Sequence, residues 1–246
     1  MNATEIHRIH LAETASTNSY AREFPLNSGV MLITTDYQTA GRGQRGNAWE
    51  SAPEKNLLFS LAIKPNNISA SQQFAICELI SVALCDVLAK YCTDIRIKWP
   101  NDIYYRNHKL CGILIEHDLE GTQLSRTIIG VGLNVNQEQF VSDAPNPISL
   151  SQVIGHEVDR EALLEAITAR FFELYQQYAS AILDRTALHQ RYISLLYRLN
   201  IPSTYRDSRS AFTATLRNVE LDGRLILEDQ QGTLRSYLFK EIAYII

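Results

Sequence analysis

Apolar and β-branched residues fall in short blocks at residues 30–35, 57–63, 95–99, 110–116 and 127–135, each bounded by Gly, Pro, Asn or Asp. Blocks of that length with those boundaries predict strands. Between the second and third blocks the period changes. Phe74, Cys77, Ile80, Leu84, Val87, Leu88 and Tyr91 recur at three- and four-residue steps, which predicts a helix over 71–91 with one buried stripe. Leu163, Ile167, Phe171, Leu174, Tyr178 and Ile182 repeat the pattern over 159–183, with Asp159 placed to cap it, and a shorter helix is expected over 186–197.

After Asn200-Ile201-Pro202 the character changes to brief alternating runs at 212–216, 224–228, 235–238 and 242–245, separated by Leu221-Asp222-Gly223 and Gln230-Gln231-Gly232. This predicts a small all-β unit over 200–246, following a larger α+β unit over 1–199. In the larger unit, strands come in hairpin-like pairs with helices between them, which favours a mixed, largely antiparallel sheet over strict βαβ alternation. No internal repeat or low-complexity tract interrupts the pattern.

Composition narrows the function. Of 246 residues, 46% are apolar and 20% charged, as in an ordinary globular protein large enough to build its own core. The net charge of −4 argues against a protein devoted to phosphate-backbone binding, so DNA is not an expected partner. Cys77, Cys85, Cys92 and Cys111 have no C-x-x-C spacing and read as reduced thiols of a cytoplasmic protein. The N-terminus lacks a signal-peptide core and the uninterrupted apolar runs are short, so neither secretion nor a membrane span is expected. No H-E-x-x-H, Cys/His cluster or G-x-S-x-G is present, which removes zinc-hydrolase and α/β-hydrolase readings.

Four segments could carry chemistry. Residues 38–51 contain Gly41, Gly43 and Gly46 in a formal G-x-G-x-x-G, but the loop continues through Asn47, Ser51 and Pro53 where a dinucleotide fold would start a helix. The partners of a kinase glycine loop and the Gly-Lys-Ser/Thr of a Walker A loop are also missing. What stands is a backbone that a ligand can approach closely, with Arg42 and Arg45 as donors for phosphate or carboxylate. A glycine-rich hairpin tip with solvated arginines fits the composition equally well.

In the second segment, a strand runs into Lys98-Trp99-Pro100-Asn101-Asp102, and Lys109 opens the next strand seven residues later, so a hairpin would bring Asp102 and Lys109 together. The carboxylate could orient the lysine or a magnesium ion beside a phosphate. It could also belong to an Asn-Asp turn with a routine surface ion pair. In the third, Gly130 and Gly132 clear one face of an apolar strand, which suits a flat ligand and also suits a bulky crossing side chain; Asn134 and Asn136 share that face and could meet a base edge. In the fourth, Ser16, Thr17 and Asn18 stand at an apparent helix start, as caps or as partners for a polar cyclic amide or urea.

Taken together and in this order, Ser16-Thr17-Asn18, Gly41-Arg42-Gly43 through Gly46-Asn47 and Trp49, Lys98-Trp99-Pro100-Asn101-Asp102, Lys109-Leu110 with Gly112-Ile113-Leu114, and Gly130-Val131-Gly132-Leu133-Asn134 resemble the biotin protein ligase family. The resemblance spans most of the larger unit. It implies a catalytic fold related to class II aminoacyl-tRNA synthetases and a C-terminal SH3-like β-barrel. It further implies activation of biotin by ATP and magnesium to biotinyl-5′-AMP, then transfer to a lysine of a biotin carboxyl carrier protein or domain. By the same resemblance, Ser16, Thr17, Asn18, Gln38, Arg42, Gly43, Gln44, Lys109 and Gly112 would bind biotin. Arg42, Arg45, Trp49, Asn101, Lys109 and Asn134 would bind ATP or the adenylate. Lys109, Asp102 and Arg42 would be catalytic, with Asp102 the candidate for any metal contact.

Two departures stand out. Gln44 occupies a position where many members carry a second loop arginine, and the chain begins directly on the catalytic unit, so an N-terminal DNA-binding module is not expected. A ligase or transferase for lipoate or octanoate and a non-catalytic biotin sensor are the rival readings. The sequence leaves homodimerisation open.

Overall fold

A computed structural model describes residues 6–26, 29–65, 68–142 and 146–246. The elements run β1 (Ile6–Thr14), α1 (Thr17–Glu23), β2 (Val30–Gln38), β3 (Leu57–Ile63), α2 (Phe74–Leu88), β4 (Ile95–Lys98), β5 (Asp102–Tyr105), β6 (His108–Glu120) and β7 (Gln123–Leu133). They continue with α3 (Leu150–Ile154), α4 (Arg160–Ala179), α5 (Arg185–Ser194), β8 (Pro202–Arg206), β9 (Ala211–Val219), β10 (Leu225–Asp229), β11 (Leu234–Tyr237) and β12 (Ala243–Tyr244). The first seven strands form one sheet in the order β1-β2-β3-β7-β6-β5-β4, antiparallel except for the β1/β2 pair. The mixed, largely antiparallel sheet expected from the pattern is therefore what forms.

The period of two sorts this sheet into two faces. Val30, Leu32, Phe59, Leu61, Ile129 and Val131 point into the main core, where α2 packs against α4 and α5. Met31, Ile33, Ala62 and Ile128 point the other way, towards Ala21 of α1. β3 is buried along its whole length, as befits a strand near the middle of a sheet covered on both faces. α2, with the turn before it (Ala70–Leu88), is apolar and long enough to cross a membrane, but it is the central core helix and 72% buried in the fold.

Several boundaries move. The second long helix starts where Asp159 predicted: its carboxylate accepts from the Glu161 and Ala162 amides at 2.9 and 3.1 Å. It stops at Ala179, before a positive-φ Ala181. Three strands are absent from the sequence expectation, one of them β5, which takes up residues 102–105, expected as turn and loop. β1 is an edge strand whose side chains are mostly exposed, so it lacks the apolar block that marks buried strands. β8 opens on Pro202, which reads as a breaker yet is tolerated at the first residue of a strand. The segment 200–246 forms a five-stranded antiparallel sheet, β11-β10-β9-β8-β12, consistent with an SH3-like unit.

This small sheet is not hung on a linker. One continuous hydrophobic cluster includes Ile76 and Ile80 of α2, Tyr192 of α5, and Leu216, Leu225 and Leu227 of the C-terminal strands. The junction also carries buried charge. Glu78 of α2, wholly buried, accepts from Arg185 and lies 2.6 Å from His189 Nδ1, while Arg185 donates to Leu221 O and His189 Nε2 donates to Val219 O.

Candidate active site

The site face is built from the even-numbered positions of three neighbouring strands. Leu58, Gly132 and Gly112 lie across from one another, as do Ser60, Gly130 and Leu114, and then Ala62, Ile128 and Glu116. Gly130 and Gly132 do clear this face, but the chain's own side chains fill it. A Cβ on Gly130 would lie 2.1 Å from Asn18 Oδ1, and one on Gly132 would lie 2.4 Å from Cε2 of Trp49. The space that the missing side chains clear is thus taken by Asn18 and Trp49, and the cleft of about 280 Å³ is lined by these two residues together with Gly112, Gly130 and Gly132.

At one end of the cleft, the N-terminus of α1 presents Ser16, Thr17 and Asn18, all buried. Gln38 Oε1 accepts from the Thr17 amide at 2.8 Å and from Thr17 Oγ1 at 3.3 Å, which fixes the carboxamide with its NH2 on the opposite side. Ser60, fully buried and not anticipated from the sequence, lies 2.8 Å from Thr17 Oγ1 and donates to Asn18 Oδ1 at 2.7 Å. Asn18 Nδ2 donates to Leu114 O and to Glu116 Oε2 at 3.2 and 2.9 Å. The result is a row of hydroxyl and amide groups in fixed orientation.

At the other end stands the pair suggested by spacing. Lys109 Nζ is 2.7 Å from Asp102 Oδ2, with both side chains about one quarter exposed. The pair forms, but not across the single hairpin expected: an additional strand, β5, opens on Asp102 and lies between β4 and β6, and Lys109 sits opposite Tyr104 beyond a register shift. Lys109 Nζ also lies 5.7 Å from the Trp49 ring. Trp49 Nε1 is buried without a hydrogen-bond partner among the described residues.

Each residue of Lys98-Trp99-Pro100-Asn101-Asp102 has a separate anchor. Lys98 Nζ donates to Tyr104 Oη at 3.2 Å and lies over the Tyr244 ring at 5.4 Å. Burial pushes its ammonium below the usual lysine range; Asp102 opposes this, while Lys109 and Arg198 add to it. Trp99 Nε1 donates to Gly223 O at 2.9 Å, tying the turn to the C-terminal sheet. Pro100 O accepts from Tyr192 Oη at 2.6 Å. Asn101 Nδ2 donates to Ile113 O, and its Oδ1 accepts from Gln44 Nε2 at 3.0 Å.

The loop at 41–46 folds back as a small hairpin: Trp49 N donates to Gly41 O, Gly43 N to Asn47 O, and Arg42 bridges Ala48. Gln44 therefore has a defined place, as a neutral carboxamide between this loop, Asn101 and Ile113 O. The Arg42 guanidinium points to the α1 end, where it donates to Glu116 Oε1 at 3.0 Å and Ser19 Oγ at 3.4 Å. The side chain of Arg45 lies outside the described residues.

Of the residues singled out from the sequence, Ser16, Thr17, Asn18, Gln38, Arg42, Gly43, Gln44, Trp49, Asn101, Asp102, Lys109 and Gly112 border this one cleft. Asn134 does not: its Nδ2 donates to Ile148 O at 3.1 Å and its Oδ1 is buried without a partner. Asn136 is engaged by Val158 through both backbone groups. Phe239, Ile242, Ala243 and Tyr244 of the C-terminal sheet complete the rim, and no local motif signals them.

No cluster of three or more His, Cys, Asp or Glu suited to a metal is found among the described residues. Asp102 is a lone carboxylate already paired with Lys109. Such a set fits a magnesium ion that keeps its waters and rides on nucleotide phosphates, rather than one held in a protein cage.

Fold and cleft together define an enzyme of the ligase class, with a mixed sheet, a glycine loop beside an amide-lined pocket, and a lysine–aspartate pair. The profile of the Biotin/lipoate A/B protein ligase family matches residues 12–134, and the chain belongs to that family. It is 30% identical over 240 residues to the bifunctional ligase/repressor BirA of Bacillus spizizenii, covering 94% of this chain and 72% of that one. It is 28% identical over 235 residues to the biotin–[acetyl-CoA-carboxylase] ligase of Paracoccus denitrificans, covering 90% and 94%. Its fold is similar to that of the Aquifex aeolicus biotin protein ligase solved with biotin and ATP, with a TM-score of 0.77 at 22% identity over 96% and 97% of the two chains.

Proposed function

We infer that the protein is a biotin protein ligase that converts biotin and Mg-ATP to biotinyl-5′-AMP and passes biotin to a lysine of a carboxylase carrier protein in the cytoplasm. The observation that carries this reading is the opposition, within one cleft, of the fixed amide and hydroxyl row at Thr17, Asn18 and Gln38 to the Lys109–Asp102 pair. The row suits a cyclic urea, and the ammonium suits a carboxylate and a phosphate meeting head-on.

In the first step a carboxylate oxygen bonds to the α-phosphorus and the bond to pyrophosphate breaks. Both partners are anionic, so the Lys109 ammonium reduces their repulsion and stabilises the charge that builds on the phosphorus oxygens. Asp102 holds that ammonium in place. A magnesium ion carried on the nucleotide would supply neutralising charge for the leaving pyrophosphate, with Asp102 the residue that could hold it. In the second step the carrier's amine attacks the acyl carbon, loses a proton and expels AMP; Asp102, the one carboxylate among the described residues that line the cleft, would receive that proton or orient the amine. Trp49, packed on Gly112 and Gly132, gives an adenylate a flat apolar neighbour. Closure of the 41–46 loop keeps water from an easily hydrolysed anhydride.

Biotin-dependent exchange of pyrophosphate into ATP tests this directly. Wild type is expected to exchange with biotin and not with lipoate, and Lys109→Ala is expected to lose about 100-fold or more of the rate. Binding of biotin without any exchange would make the protein a sensor. Exchange with lipoate alone would assign it to the lipoate branch of the family.

A further inference from the structure

Glu116 lies on the site face of β6, one cross-strand row beyond Gly130 and Leu114, with only a fifth of its side chain exposed. Its two oxygens serve different elements. Oε2 accepts from Asn18 Nδ2 of α1 at 2.9 Å, whereas Oε1 accepts from the Arg42 guanidinium of the glycine loop at 3.0 Å, with Arg22 3.6 Å away. No other carboxylate among the described residues pairs with Arg42.

The Asn18 bond has a definite effect. Ser60 donates to Asn18 Oδ1, so the amide cannot flip without facing a donor with a donor and leaving Glu116 and Leu114 O without their proton. Gly130 leaves no room for the side chain to retreat onto the strand. The Arg42 bond has a separate one: it ties the near arm of the loop hairpin to the sheet, as the Gln44–Asn101 bond ties the tip. One carboxylate thus fixes the pocket that would read the ring and the loop that would close over the intermediate.

On this geometry, and resting on the ligase reading above, we propose that Glu116 is a positioning residue with two functions, orienting Asn18 for biotin and tethering the 41–46 loop so that biotinyl-adenylate is retained.

The two functions separate experimentally in Glu116→Ala and Glu116→Gln. Glutamine keeps an oxygen for Asn18 but lacks the charge that holds Arg42. Two readouts are taken: the biotin KM in pyrophosphate exchange, and the carrier-free release of biotinyl-adenylate, followed by hydroxylamine trapping. Glu116→Ala is expected to raise the biotin KM about tenfold and to increase release several-fold, because a charge-assisted hydrogen bond and an exposed ion pair are lost together. Glu116→Gln is expected to keep KM within about twofold of wild type while still releasing adenylate faster. The proposal is overturned if both variants retain wild-type KM and release, or if the two readouts change only in proportion to the loss of folded protein measured by circular dichroism. Failure of the ligase reading itself is distinct, since wild type would then show no biotin-dependent exchange.

Discussion

Gly130 shows how a single missing methyl group shapes the site. A Cβ there would overlap Asn18 Oδ1, and Asn18 is held from three sides by Ser60, Leu114 O and Glu116, so it has nowhere to shift. Gly130→Ala is therefore expected to raise the biotin KM by about tenfold or more and to lower stability by about 1–3 kcal/mol. Exchange kinetics and urea unfolding measure the two effects, and an unchanged KM would mean that Asn18 does not face the ligand. The glycines were legible in the sequence as cleared positions. That Asn18 and Trp49, rather than a ligand, occupy the cleared space was not, because both arrive from elements more than 80 residues away in the chain. Ser60 shows the same limit: within an apolar block it reads as a routine strand residue, and only burial beside Thr17 and Asn18 gives it a role.

At the scale of the element, β6 and β7 form the long hairpin that carries Lys109 and Glu116. Along it, His117 Nδ1 lies 2.8 Å from Thr127 Oγ1, and burial holds its imidazole below the ordinary value of 6.5, against the pull of Asp118. Because the unfolded chain binds this proton more readily than the folded one, the stability His117 confers is complete above pH 6.5 and declines as the pH falls towards its lower folded value. Asp118 is held below its ordinary 3.8 mainly by Arg126 and then by Arg22, so its contribution is lost only at more acid pH. Thermal melts between about pH 7.5 and pH 5 should show the melting temperature falling below about pH 6.5, and His117→Gln should flatten that fall. An identical slope in the variant would remove His117 as its source. The hairpin was visible as two apolar blocks, although its length was underestimated because its polar outer end lacks a hydrophobic signature.

Taken whole, the molecule joins its two sheets through shared core and shared charge. Trp99 donates across the junction to Gly223 O, and Glu78, with no exposed side-chain surface, anchors Arg185 and His189, which in turn hold Leu221 O and Val219 O. Removing the charge of one partner leaves the other buried and uncompensated, so Glu78→Gln is expected to cost about 3 kcal/mol in urea unfolding. Unfolding of the intact chain should be a single transition, with far-ultraviolet circular dichroism and tryptophan fluorescence coinciding, since Trp99 reports on the junction itself. A separate early transition for the C-terminal strands would show that the shared core does not couple them. The rim residues from 239–244 belong to this scale: they meet the cleft only because the small sheet docks against the Lys98–Asp102 turn.

The sequence by itself determined what local pattern and local chemistry can determine. The apolar blocks set β2, β3, β6 and β7, the three- and four-residue steps set α2 and α4, and the seven-residue interval from Asp102 to Lys109 set the 2.7 Å pair. Motif order carried the family. Tertiary structure alone decided which polar groups complete the site, because hydrogen-bond partners such as Glu116 for Arg42, Asn101 for Gln44 and Ser60 for Asn18 are chosen by strand neighbours and chain reversals distant in sequence. It also placed the carboxamide of Asn136 against the Val158 backbone and Asn134 Nδ2 against Ile148 O, leaving Asn134 Oδ1 buried without a partner among the described residues.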